Sequence, residues 1–128
     1  MPIVYSIHNN GHNIHTIVSK PVTSEDFIDY ELTHAFDSRI SSPLFELLEI
    51  RQGAFNNISM DDISRVISRR KELGQPPIPH NCAIVPSMND VHAWNLAKFY
   101  ENMALLHYPE NVIVFGEVRT AKIWLGVE

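Results

Sequence analysis

The chain has one cysteine, five isolated glycines and no long uninterrupted apolar run. Each scarcity excludes something. A single cysteine cannot form an intramolecular disulfide, and Cys82 sits inside the run Cys82-Ala83-Ile84-Val85, where a reduced thiol packs as a small hydrophobe. Scattered glycines supply neither a phosphate-cradling loop nor a dinucleotide fingerprint, and there is no Gly-x-Ser-x-Gly nucleophile elbow. With no run of transmembrane length, and no basic stretch leading into an apolar one at the N-terminus, the sequence predicts a cytoplasmic protein without membrane insertion. Basic residues are outnumbered 10 to 15 by acidic ones, for a formal net charge of −5. That balance argues against nucleic acid as a partner, because neutralising phosphates dominates such binding.

What is present patterns as one α/β domain over residues 1–128, a length that fits one domain and not two. Ile3, Tyr5 and Ile7 alternate with Val4, Ser6 and His8 as a strand does. Asn9-Asn10-Gly11 supplies the positive φ angles of a hairpin turn, and Ile14, Thr16 and Val18 form the returning inward set. A loop centred on Asn10-Gly11 pairs Ile7 with Ile14 and Tyr5 with Thr16, so the apolar faces coincide.

Helical spacing then predicts a helix capped by Thr23 or Ser24 that buries Phe27, Ile28, Leu32, Ala35 and Phe36. A strand follows over 44–50, then a helix opening at Ser59 and closed by Gly74. The proline-rich stretch 75–79 is too rigid for an element interior. Another strand covers 81–85, and Asn89-Asp90 lead a long helix with the stripe Ala93, Leu96, Ala97, Tyr100, Met103 and Ala104. Pro109 precedes a strand over 112–115, and a short helix over 120–126 ends at Gly126. The alternation predicts a mixed, mostly parallel five-stranded sheet, with the first strand as an antiparallel edge and about four helices.

The order of these elements, with several local strings, resembles the STAS superfamily, whose type member is the sporulation anti-sigma-factor antagonist. It looks closest to a branch of small bacterial antagonist-like or STAS/Sec14-type domains. The strings are Leu47-Leu48-Glu49-Ile50 before a loop and helix cap, Ala83-Ile84-Val85-Pro86 before the long helix, Val114-Phe115, and the closing Ala121-Lys122-Ile123-Trp124-Leu125-Gly126. The resemblance implies strands in roughly sequential order with helices mainly across one face. Yet Ala83-Ile84-Val85 and 112–115 do not alternate as strands with one wet face should. Either late helices cover both faces, or apolar sheet surface is left for another subunit; the expectation is a homodimer.

The resemblance also implies a phosphorylatable serine at the start of the helix after the third strand, within an Asp-Ser-Ser-Gly string. Here the stretch is Phe55-Asn56-Asn57-Ile58-Ser59-Met60, in which Phe55 and Ser59 match, while Asn57, Ile58 and Met60 depart from the acidic residue, the first serine and the glycine. Ser59 followed three residues later by Asp62 also fits a capping box, a purely structural role. Arg65, Arg69, Arg70 and Lys71 form a basic cluster that suits either a solvated helix face or an acidic partner. The implied function is a non-enzymatic regulatory domain that binds a protein partner around Ser59, with Asn57, Arg65, Arg69 and Arg70 as contact candidates.

The Sec14-type side of the resemblance, with the aromatic and methionine content of the long helix, supports a second reading: a binder of a small apolar or lipid-like molecule. Tyr30, Tyr100 and Trp94 could line its cleft. An enzyme would need a convergent cluster of perturbed ionisable groups. Carboxylate pairs at Glu25-Asp26 and Asp61-Asp62 instead sit in first helical turns, where acids complement the dipole. No cofactor and no metal is expected. His8 and His15 share a face of the hairpin and are the only weak metal candidates, short of the three or four ligands zinc requires. His34, His92 and His107 read as surface or boundary residues.

Overall fold

The computed structural model describes residues 2–72, 80–107 and 110–127, without the side chain of His107. Gly74, the proline-rich stretch 75–79 and Pro109 lie outside the described residues. The elements are β1 (Ile3–His8), β2 (Asn13–Val18), α1 (Ser24–Ala35), β3 (Leu44–Ile50), α2 (Met60–Glu72), β4 (His80–Pro86), α3 (Val91–His107), β5 (Asn111–Val114) and α4 (Val118–Leu125). They form a five-stranded sheet in the order β1-β2-β3-β4-β5, antiparallel between β1 and β2 and parallel elsewhere.

The hairpin register is the one the alternation calls for, with Tyr5 opposite Thr16 and Ile7 opposite Ile14. The turn spans residues 9–12, because His8 and Asn13 still pair. Asn9 and Asn10 both take left-handed φ, at 55° and 57°. Gly11 has φ 91°, and a Cβ there would stand 2.2 Å from the Arg39 carbonyl oxygen, so both torsion and space require glycine.

The consecutive strand order, built from β2-α1-β3, β3-α2-β4 and β4-α3-β5 units of one hand, carries all three crossover helices to one face. The main core lies there. It joins inward residues of the strands, such as Val18, Leu48, Ile50, Cys82 and Ile84, to Phe27, Ile63, Val66 and Leu96 of the helices. α4 follows the last strand, is bound by no crossover, and packs on the opposite face over β3 and β4. Its Ala121 and Leu125 close a second cluster with Leu47, Ala83 and Val85. The non-alternating β4 is thereby covered on both sides within one chain. Among the described residues no helix is long and apolar enough to cross a membrane.

Caps fix the helix starts. Thr23 and Asp26 form a reciprocal capping box at α1. Asp90 accepts the Ala93 N–H at 3.1 Å at the head of α3, and Gly126 in the left-handed region ends α4. The expected buried stripe of α1 is corrected at its end. Phe36 is 79% exposed because the helix stops at Ala35, and the inward positions beyond Phe27 and Ile28 go to Tyr30 and His34. His34, expected near the surface, is buried.

Candidate functional site

Strand alternation places residues 44, 46, 48 and 50 of β3 on the helix-covered face, and three of those four are Leu44, Leu48 and Ile50. The fourth is Glu46, a carboxylate in a core position that is 3% exposed. On β4 the same face carries His80 and Cys82, with Cys82 directly opposite Glu46. Glu110, just ahead of β5, is also buried. A buried charge is costly unless paired, and these residues pair with one another.

His80 sits between two carboxylates. Its Nε2 is 2.9 Å from Glu46 Oε1, and its Nδ1 is 2.6 Å from Glu110 Oε2. The second contact is an ion pair outside hydrogen-bond angles, and Glu110 Oε2 has no hydrogen-bond partner among the described residues. Both ring nitrogens therefore face anions, the arrangement of a doubly protonated imidazole. Burial pulls the His80 pKa down, but Glu110 and Glu46 outweigh it and raise the group to about 10. Burial likewise opposes ionisation of Glu110, yet His80 and Arg70 hold its carboxyl at about 2. Glu46 is also held well below the carboxylate range, against burial, by His80 and His34.

The network extends both ways. Tyr30 donates to Glu46 Oε2 at 2.5 Å; with its one proton so used, it accepts from Thr16 Oγ1 at 2.6 Å. Arg70 donates to Glu110 Oε1 at 2.9 Å and to the Tyr100 hydroxyl, and its Nε lies 3.5 Å from Glu31 Oε2. The same Glu31 oxygen is 3.0 Å from His34 Nε2. With both histidines protonated, Glu31, Glu46 and Glu110 are balanced by Arg70, His34 and His80. Burial raises the Cys82 thiol well above its ordinary pKa, and the carboxylates add to this, so the thiol is not an activated nucleophile.

Beside this network a small cavity of about 40 Å³ opens between the sheet and α1, α2 and α3. Most of its wall is apolar: Phe27, Phe55, Ile63, Val66, Ile84 and Leu96. Glu31, Glu46, Cys82 and Tyr100 bring the edge of the polar network to it. Of the aromatics expected to line a cleft, Tyr100 does so; Tyr30 lies behind Glu46, and Trp94 is 37% exposed.

Of the residues singled out around Ser59, Arg70 alone turns inward. Ser59 caps α2 reciprocally: its hydroxyl accepts from the Asp62 N–H at 3.2 Å and donates to Asp62 Oδ2 at 3.0 Å, and its own N–H reaches the same carboxylate at 2.9 Å. Asn57, Arg65 and Arg69 are not enclosed; Arg65 donates to Ser24 Oγ at 3.0 Å, and Arg69 pairs with Glu72 at 2.9 Å. Arg70 is corrected from a partner-facing cation to a buried one. It lies on the inward stripe with Ile63, Val66 and Ile67, where Glu110 and Glu31 hold its charge. His8 and His15 do share a face, but His8 bonds Ser6 at 2.8 Å and His15 meets Glu49 at 2.7 Å. No group of three potential metal ligands occurs among the described residues.

Sequence reasoning did not bring Glu46, His80, Glu110 and Glu31 together, and it took Tyr30 only for a cleft aromatic. The available signal was phase: Glu46 and His80 occupy inward positions of buried strands, where only an apolar or a fully paired side chain is tolerated.

No family model matches this chain, and no curated protein or solved structure matches it significantly.

Proposed function

We propose that this chain is a non-catalytic binding domain that takes a small apolar molecule, carrying a single hydrogen-bond donor, into the cavity between the sheet and α1, α2 and α3. The observation behind it is an apolar cavity edged by the carboxylates of Glu31 and Glu46. The Sec14-type resemblance points the same way. Apolar walls take up the body of the ligand, and a hydroxyl or amine on it meets a carboxylate oxygen. His80, Glu46 and Glu110 are the kind of perturbed cluster an enzyme would need. They are buried and charge-paired, with Arg70 completing the pairing of Glu110, and so are better suited to holding a ligand than to turning it over.

The test is methyl nuclear magnetic resonance with 1-propanol, a probe near the size of the cavity. Saturable shifts are expected at the methyls of Ile63, Val66 and Ile84. Ala97→Met, which fills the cavity from α3, should weaken binding about tenfold, or ~1.4 kcal/mol. Val66→Leu does the same from α2. No saturable shift, or equal affinity in all three proteins, removes the reading.

A second reading, a regulatory domain that binds a protein partner around Ser59, is favoured by one specific feature. Met60, Met88 and Val91 are 52%, 86% and 70% exposed. They stand at the heads of α2 and α3, beyond the carboxyl ends of β3 and β4, where open α/β sheets bind partners and ligands. Exposed methionines make adaptable contact surfaces. Affinity capture from native cells with wild type and Met88→Glu as baits tests it; recovery of the same proteins by both counts against it.

A further inference from the structure

The sheet has two outer edges, and they are treated differently. At β5, which is four residues long, Phe115 N–H bonds inward to the Ile84 carbonyl, so the alternate amide of Val114 turns outward. Glu101 of α3 reaches over and accepts that amide at 2.7 Å, while Lys98 holds its other oxygen at 2.6 Å. A charged helix side chain thus guards the edge.

Among the described residues β1 has no such guard. Ser19 N–H bonds the Pro2 carbonyl, and the register continues through Val4 opposite Ile17 and Ser6 opposite His15. Hydrogen-bonded pairs in an antiparallel ladder alternate, so the even residues of β1 face β2. The amides and carbonyls of Ile3, Tyr5 and Ile7 face outward, and among the described residues no strand pairs with them. Natural edges are blunted by lysine, proline, a bulge or a short strand. β1 is six residues long, Ile-Val-Tyr-Ser-Ile-His, and has none of these.

From this we infer that β1 is a dimerisation edge, and that it pairs antiparallel with β1 of a second copy of the chain. The outward groups are self-complementary about one two-fold axis. Tyr5 exchanges both hydrogen bonds with Tyr5 of the other copy, and Ile3 does so with Ile7 in each direction. Side chains keep their faces in this register, so Val4, 56% exposed, lies opposite Ser6 of the other copy. The two sheets become one of ten strands, and the isologous contact closes without leaving β1 open to further addition. A second copy closes this edge about one two-fold axis through Tyr5, with the outward donors and acceptors of Ile3, Tyr5 and Ile7 all used. The inference is independent of the cavity.

Sedimentation velocity at 100 μM tests it. Wild type should sediment at twice the 14.6 kDa chain mass. Ile7→Pro removes an outward N–H without touching the β1–β2 ladder, and Val4→Lys supplies the missing guard on an exposed position; each should lose the two-chain species while keeping the circular dichroism of wild type. A second pair of variants tests the register directly. An equimolar mixture of Val4→Cys and Ser6→Cys should form a disulfide-linked dimer under mild oxidation, since these positions face each other in a non-hydrogen-bonded pair, and neither variant alone should. A wild type at the one-chain mass, a dimer undisturbed by both edge variants, or cross-linking of either cysteine variant alone as efficiently as the mixture overturns the inference.

Discussion

The two faces of the sheet share the same strands and differ in what they bury. Toward α4, the centre of the β3 and β4 face is apolar: Leu47, Ala83 and Val85 meet Ala121 and Leu125, with the His15–Glu49 pair to one side. Toward α1, α2 and α3, the neighbouring positions of the same strands hold Glu46, His80 and Cys82 among the apolar residues of the main core. The cluster under α4 is held by apolar burial. The other face adds an ionic network that is stable only while every member keeps its partner, and it is also the face with a cavity. The asymmetry locates where specificity for the proposed ligand would reside, because an apolar contact discriminates poorly among apolar molecules and a placed carboxylate does not.

The largest effect that would sharpen this contrast comes from cutting the network. Arg70→Leu leaves Glu110 and Glu31 buried without their guanidinium, and unfolding in urea should show a loss of about 3–5 kcal/mol. His80→Gln belongs to the same class and adds a pH signature. The folded pKa of His80 is raised from 6.5 to about 10, so its contribution is complete below pH 6.5 and is lost as the pH climbs toward 10. Glu110 is lowered from 4.5 to about 2, so its contribution is present above pH 4.5 and is lost as the pH falls toward 2. Wild-type stability should therefore peak between about pH 4.5 and 6.5, with its alkaline decline flattened in His80→Gln.

In the cluster under α4, Leu47→Ala should cost about 3 kcal/mol through a lost contact and a cavity, and urea melts should give the same loss at pH 5 and pH 9. A pH-dependent loss there would erase the distinction between the faces. The smallest effect tests the edge of the comparison. Ser59→Ala should cost about 1 kcal/mol as a lost helix cap, and Ser59→Asp, a good cap itself, should recover most of it. If Ser59→Ala leaves thermal stability unchanged, the cap contributes nothing and the serine needs another explanation.

Much of this was legible beforehand, for reasons visible in particular residues. The register of β1 on β2 follows from matching two short alternating runs across Asn10-Gly11, a local problem. The caps at Thr23 and Ser59 follow from residues three apart. The network was not legible, because its bonds join residues far apart in the chain: 34 positions for Glu46 and His80, and 40 for Arg70 and Glu110. Arg70 shows the limit best. In sequence it belongs to a run of cations that reads as a wet face, and only the helix phase set by Ile63, Val66 and Ile67 turns it inward while Arg65 and Arg69 remain unenclosed.

The sequence by itself determined the α/β class, the strand order of events along the chain and the hairpin register, because periodicity, turn residues and caps act within a few positions. Tertiary structure alone decided that α4 takes the face left free by the three crossover helices, and that three carboxylates meet Arg70, His34 and His80 beside a cavity. Whether a buried charge is tolerated depends on which partner another element delivers to it, and that is a property of packing, not of any local stretch of chain.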